Sequence, residues 1–210
     1  MIKDGSVYCK GEITEMSWNA LIQSAFLSRV NLSAKGHYVR PHIYFDKSTE
    51  TGRPFAYHVY GVGMTEVTLD CLRGTYAINS VSIMHDCGTS FNPLIDIGQI
   101  EGALLQGIGW MSMEEIKYDK SGHLMSDSLS TYKIPDISFA PGKVSISFLQ
   151  TDGNEQAVLK AKAVGEPPFM YGMGTYFALR NAMLAFRPNL QFTYNAPLTP
   201  EKILLAIYEP

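Results

Sequence analysis

The stretch that decides the fold is residues 60–86, YGVGMTEVTLDCLRGTYAINSVSIMHD. Two runs rich in Val, Ile, Thr and Tyr flank Cys71-Leu72-Arg73-Gly74. Paired β-rich runs around a short turn-forming connector predict a long antiparallel hairpin. Gly61-Val62-Gly63 lacks the third glycine of a dinucleotide-binding turn, so its spacing predicts a bulged strand and not a nucleotide loop.

Outward from this hairpin, strand and helix patterns alternate. Upstream, Trp18, Leu21, Ile22, Ala25, Phe26 and Arg29 follow helical spacing, with Ser17 placed as an N-cap. Residues 45–54, FDKSTETGRP, read as a polar loop. Downstream, a helix is expected from 94 to about 111, then a hairpin across 114–124 turning at Ser121-Gly122. Strands are expected at 144–150 and 157–164. A helix should then run from Pro167 to about Phe186, and a last one should start at Thr199-Pro200-Glu201. The fold class is α+β, a mixed or antiparallel sheet with long hairpins packed against helices. Residues 1–210 read as one segment of a domain, divisible into subdomains of about 1–90 and 91–210.

Composition bounds the function. Hydrophobic residues make up 46% and charged residues 18%, the balance of a packed protein. A formal net charge of -3 with no basic run argues against nucleic acid and against a membrane-surface patch. No apolar stretch has the length of a membrane span or a signal core. Cys9, Cys71 and Cys87 are scattered, which fits a reducing, cytoplasmic setting and provides no cluster motif. The histidines lack metal-ligand spacing, so no protein-held metal is expected.

Chemistry has two candidate places. In the 94–111 helix, Ile97, Ile100, Leu104 and Ile108 form a core seam, and Gln99, Gly102, Gln106 and Gly109 form a second seam of small and amide residues. Interior helical glycines cost about 1 kcal/mol each relative to alanine. Gly98, Gly102, Gly107 and Gly109 therefore call for an explanation, either close packing or a polar ligand lying along that face. Gln106 suits the second reading, since a carboxamide donates and accepts without bringing charge. The other place is Lys162–Met183, KAVGEPPFMYGMGTYFALRNAM. Pro167 and Pro168 suit a helix start, which leaves Glu166 at its mouth. Glu is a poor N-cap. Glu166 is thus either an incidental turn carboxylate or a partly desolvated general base.

Taken together, residues 60–74, 85–124 (with HDCGTSFNPLIDIGQIEGALLQG at their head), STYKIP at 130–135 and KAVGEPPFM at 162–170 resemble the C-terminal part of the molybdenum-binding region of xanthine dehydrogenase. The wider group is the molybdenum hydroxylases, and the resemblance runs from about Trp18 to Arg187. It implies oxidative hydroxylation of a purine such as hypoxanthine or xanthine, with an aldehyde as the other substrate class. It also implies Glu166 as the active-site base and Gln106 as a contact to a molybdenum–molybdopterin cofactor. Iron–sulfur clusters and FAD are then expected on partner domains or subunits. The family's upstream half is also expected as a partner, because its cofactor loop and substrate-orienting Arg have no counterpart here. The chain alone should be inactive and should expose apolar surface, which suits partner binding or self-association. The alternative is a non-catalytic assembly domain or truncated remnant that keeps the fold and binds no cofactor.

Overall fold

A computed structural model describes residues 2–40, 42–151 and 157–209. They fall into two compact units, 1–39 and 40–210.

In the first unit an antiparallel meander, β1 (Ile2–Lys3), β2 (Ser6–Cys9) and β3 (Glu12–Ser17), precedes helix α1 (Trp18–Leu27). The turns use Asp4-Gly5 and Lys10-Gly11, all four with positive φ, which is the chemistry of tight hairpins. Ser17 caps α1 by accepting from the Ala20 N–H. The helix is as the spacing predicts; the meander was not anticipated.

In the second unit a small hairpin, β4 (Tyr44–Asp46) with β5 (Thr51–Arg53), occupies the segment expected to be a polar loop. Asp46 bends its turn by accepting from the backbone N–H and hydroxyl of Ser48. The main sheet has the order β6 (Gly61–Leu69), β7 (Tyr76–His85), β8 (Lys143–Phe148). β6 and β7 pair antiparallel as expected, and β8 joins β7 in parallel, so the sheet is mixed.

The bulge does not lie at Gly61-Val62-Gly63. It lies where Glu66 pairs Ser80 and Val67 pairs Ile78, which leaves Asn79 as the extra residue. One added residue reverses which side chains face the core. Ile78 is buried before the bulge; Val81, Ile83 and His85 are buried after it. The bulge thereby turns His85 inward.

Helix α2 (Pro93–Ser112) is capped by Asn92, which accepts from the Ile95 N–H. It lays Ile100, Leu104 and Ile108 against Ile78, Val81 and Ile83 of β7, as its core seam predicts. A 3-10 segment (Pro167–Gly172) leads into α3 (Met173–Phe186), so the helix expected from Pro167 begins as a tighter coil. Tyr176, Leu179 and Met183 of α3 form a second core with Ile203 and Ile207 of α4 (Pro200–Tyr208), whose cap is Thr199. Residues 157–164 are not a strand. Leu159 and Lys160 take positive φ and coil the chain, leaving one bridge between Ala161 and Gly88.

Two glycines set how α2 meets the 3-10 segment. A Cβ on Gly107 would collide with the Phe169 carbonyl, and one on Gly172 would collide with the Gly107 backbone. The same helix carries Gly98 and Gly102, whose Cβ positions are open. Gly107→Ala should therefore lose about 1–3 kcal/mol through overpacking. Gly102→Ala should gain up to about 1 kcal/mol from helix propensity. Urea denaturation of both variants checks the opposite signs.

Candidate active site

The two candidate residues lie on one groove. Gly98, Gln99, Gly102, Ala103 and Gln106 of α2 form one wall, and Gly165, Glu166, Phe169 and Met170 form the other, around a volume of about 730 Å³. The open Cβ positions of Gly98 and Gly102 face this space, whereas Gly107 and Gly109 are close-packed. The four helical glycines thus divide: two are explained by packing and two are not. Gln106 and Gly102 also border a smaller groove of about 270 Å³ with Glu114, Ile134 and Pro135. There the Tyr132 hydroxyl donates to Glu114 at 2.5 Å and ties the 131–135 segment to the end of α2.

Glu166 occupies the N-cap position of the 3-10 segment, yet its side chain makes no cap hydrogen bond. Capping does not account for it. The carboxylate is exposed, so the expected desolvation is not met within this chain, because the groove is open on that side. Its backbone is tightly held, however. The Glu166 carbonyl accepts from Phe169 N–H at 3.0 Å, Pro168 is fully buried, and the Phe169 ring lies 5.1 Å from that of Trp110 on α2. Gln99 lies nearest the turn: a Cβ on Gly165 would come 4.0 Å from its side-chain oxygen.

The segment leading to Glu166 is stitched to the end of β7. Thr89 N–H donates to Lys160 O at 3.1 Å, and Lys162 N–H donates to Cys87 O at 2.8 Å. Lys162 Nζ pairs with Asp86 at 2.5 Å, with both side chains almost fully buried. Asp86 also accepts from Gly88 N–H and from the Thr151 hydroxyl. Burial alone would raise its pKa; the Lys162 hydrogen bond and the Gly88 N–H outweigh that and hold it below the usual 3.8. His85 is wholly buried and contacts the Ala163 carbonyl at 3.1 Å and the Tyr171 hydroxyl at 2.8 Å. Burial lowers its pKa below 6.5, against the opposing pull of Ala163 O and Asp86. Reading the sequence singled out neither His85 nor Asp86 nor Lys162 as site residues. Their signal was HD at a strand end and a Lys four residues before Glu166, which becomes informative only once the bulge turns the strand.

Among the described residues no cluster of His, Cys, Asp and Glu could hold a metal ion, and no helix is long and apolar enough to cross a membrane. An amide-lined groove with free space over two helical glycines is suited to a ligand rich in donors and acceptors.

The family model described as a molybdopterin cofactor-binding domain matches residues 1–141, and the chain belongs to that family. Xanthine dehydrogenase/oxidase of Felis catus is 41% identical over 194 residues, covering 89% of this chain and 15% of its own length. Xanthine dehydrogenase 1 of Arabidopsis thaliana is 36% identical over 204 residues, covering 92% and 15%. The chain thus spans about 15% of the length of these relatives. Among solved structures, aldehyde oxidoreductase from Desulfovibrio gigas superposes with a TM-score of 0.68 at 27% identity, over 88% of this chain and 19% of that one. Quinoline 2-oxidoreductase from Pseudomonas putida 86 does so with a TM-score of 0.60 at 31% identity, over 68% and 18%. Gln106 lies inside the stretch matched by the family model, and Glu166 lies beyond it.

Asp86→Asn would leave Lys162 buried without its counter-charge and should cost about 3–5 kcal/mol. Because the Asp86 pKa is depressed, the pair's contribution is present above pH 3.8 and is lost as pH falls through the lower folded value. His85 adds a second acid loss that begins below pH 6.5, where the unfolded imidazole takes a proton that the folded one refuses. Denaturation from pH 7 to pH 3 should show a falling wild-type stability, with the lowest-pH part of the fall missing in Asp86→Asn.

Proposed function

We propose that this chain forms one wall of the molybdenum–molybdopterin site of a xanthine dehydrogenase-like hydroxylase acting on a purine, with Glu166 as the general base. The observation that carries the reading is the meeting of Glu166, Gln106 and the two open glycines on one groove. Identity of 36–41% to xanthine dehydrogenases favours a purine over an aldehyde as substrate. When bound, the cofactor supplies the two-electron redox chemistry of the hydroxylation.

This chain's residues do the rest. Gln106 and Gln99 offer carboxamides that can donate and accept along the cofactor edge, and Gly98 and Gly102 let it approach the α2 backbone. Glu166 holds an unpartnered carboxylate at the open mouth of the groove, where an Oε atom can take the proton of an attacking hydroxyl. Closing the open side would exclude water from that oxygen. That closure is assigned to the upstream half of the molybdenum-binding region. Electrons would leave through iron–sulfur and flavin modules on partner domains. Exposed Phe91, Leu94 and Ile95 at the start of α2, at 62%, 81% and 58% exposure, provide apolar surface for such a partner.

In the assembled enzyme, Glu166→Gln should retain molybdenum and lose about 10²–10⁴-fold in xanthine turnover, because the amide is isosteric and takes no proton. Unchanged turnover would remove Glu166 from the mechanism. Gln106→Ala and Gly102→Ala should both lower molybdenum per chain, read by elemental analysis, although Gly102→Ala makes the chain itself more stable. Full molybdenum occupancy in both would leave the groove without a cofactor role, and the assembly-domain alternative would stand.

A further inference from the structure

We propose that His85 is a positioning residue for Glu166, holding the turn on both sides through one buried imidazole; the inference rests on the reading of Glu166 as base. The Ala163 carbonyl can only accept, so Nε2, at 3.1 Å from it, carries the proton. Nδ1 is then bare and accepts from the Tyr171 hydroxyl at 2.8 Å. Ala163 precedes Glu166 by three residues and Tyr171 follows it by five. A single rigid ring at the end of β7 thus fixes the entry and the exit of the turn that carries the carboxylate.

The arrangement has its own room in the fold. A Cβ on Gly61 of β6 would collide with the Tyr171 hydroxyl, and one on Gly63 would lie 3.2 Å from the Tyr171 ring. These two glycines therefore admit the Tyr171 side chain between the strand and the 3-10 segment. The Tyr171 and His85 rings meet edge to face at 5.9 Å and 87°. Four elements converge on the contact: β6 supplies space, β7 the imidazole, the 3-10 segment the hydroxyl, and residues 160–163 the carbonyl. Neighbouring Asp86 does not compete for the ring, since its carboxylate is taken by Lys162, Gly88 N–H and the Thr151 hydroxyl. A neutral His85 satisfies both partners, and burial keeps it neutral.

The test uses the assembled enzyme with His85→Met, His85→Gln and Tyr171→Phe. Gln places an amide N–H where Nε2 stood and can still donate to Ala163; Met fills the space and donates nothing. His85→Met should lose about 10²-fold in kcat, the effect of displacing a catalytic group by about 1 Å. KM and molybdenum content should stay within two- to threefold, and hydrogen exchange of the Phe169 amide, which donates to Glu166 O, should quicken. His85→Gln should recover most of kcat and of the protection. Tyr171→Phe should fall between them, and it carries the test if His85→Met does not fold. Unchanged kcat and exchange in Tyr171→Phe and His85→Met, or a Gln variant as impaired as Met, would overturn the proposal. Faster Phe169 exchange in His85→Met combined with full turnover in Glu166→Gln would uphold the positioning and sink the base assignment instead.

Discussion

The contact on which the site depends is between two backbones. Gly107 of α2 lies against the Phe169 carbonyl and the Gly172 backbone, with no room for a single methyl group on either glycine. Packed interiors transmit such constraints because they are nearly incompressible. The core seam of α2 on β7 fixes the helix. The glycine contact then fixes the 3-10 segment, and with it the separation between the Gln106 and Glu166 walls of the groove. The tilted stacking of Trp110 on Phe169 adds a lateral restraint at the same crossing. The turn that bears the carboxylate is not free to drift.

A second anchor acts from the opposite side. The bulge at Asn79 turns the far half of β7 over, so that His85 faces inward and Asp86 meets Lys162. Were Asn79 held in unbroken alternation instead of bulged out, the strand would send His85 to the exposed face. Leu159 and Lys160 break the extended path, so strand pairing holds residues 160–163 only through the short antiparallel bridge between Ala161 and Gly88. Side-chain contacts from the strand end reinforce that bridge. A buried ion pair is a poor source of net stability but a demanding one in geometry, which suits a turn whose position must be held.

The sequence was most legible where the signal was local. Ser17 and Thr199 cap the helices they were expected to cap, the α2 core seam falls on Ile100, Leu104 and Ile108, and the β6–β7 hairpin turns where its connector lies. Glu166 and Gln106, expected at the site from resemblance, do share a groove. Much of what escaped notice was too short or too distant in sequence. β1, β2, β4 and β5 have two to four residues each, too few for periodicity to register. The glycine pair of β6 reads as a bulge until Tyr171, more than a hundred residues on, is seen to fill the space beside it. The strand-like composition of 157–164 loses to two positive φ angles that composition does not encode.

The glycines of α2 finally separate what this chain needs for itself from what it provides. Gly107 and Gly109 are required by neighbours in the same chain: the Phe169 backbone for one, Glu114 and Pro135 for the other. Gly98 and Gly102 meet nothing within the chain, and each weakens the helix by about 1 kcal/mol relative to alanine. A penalty repeated at two positions on one face, both opening on the groove that holds Gln99, Gln106 and Glu166, is difficult to attribute to fold stability. It is accounted for if the space over the helix is occupied by something closer than a methyl group would allow. That is the ground on which we propose the groove as a ligand site, with the polar residues on its rim taking their roles from what fills it.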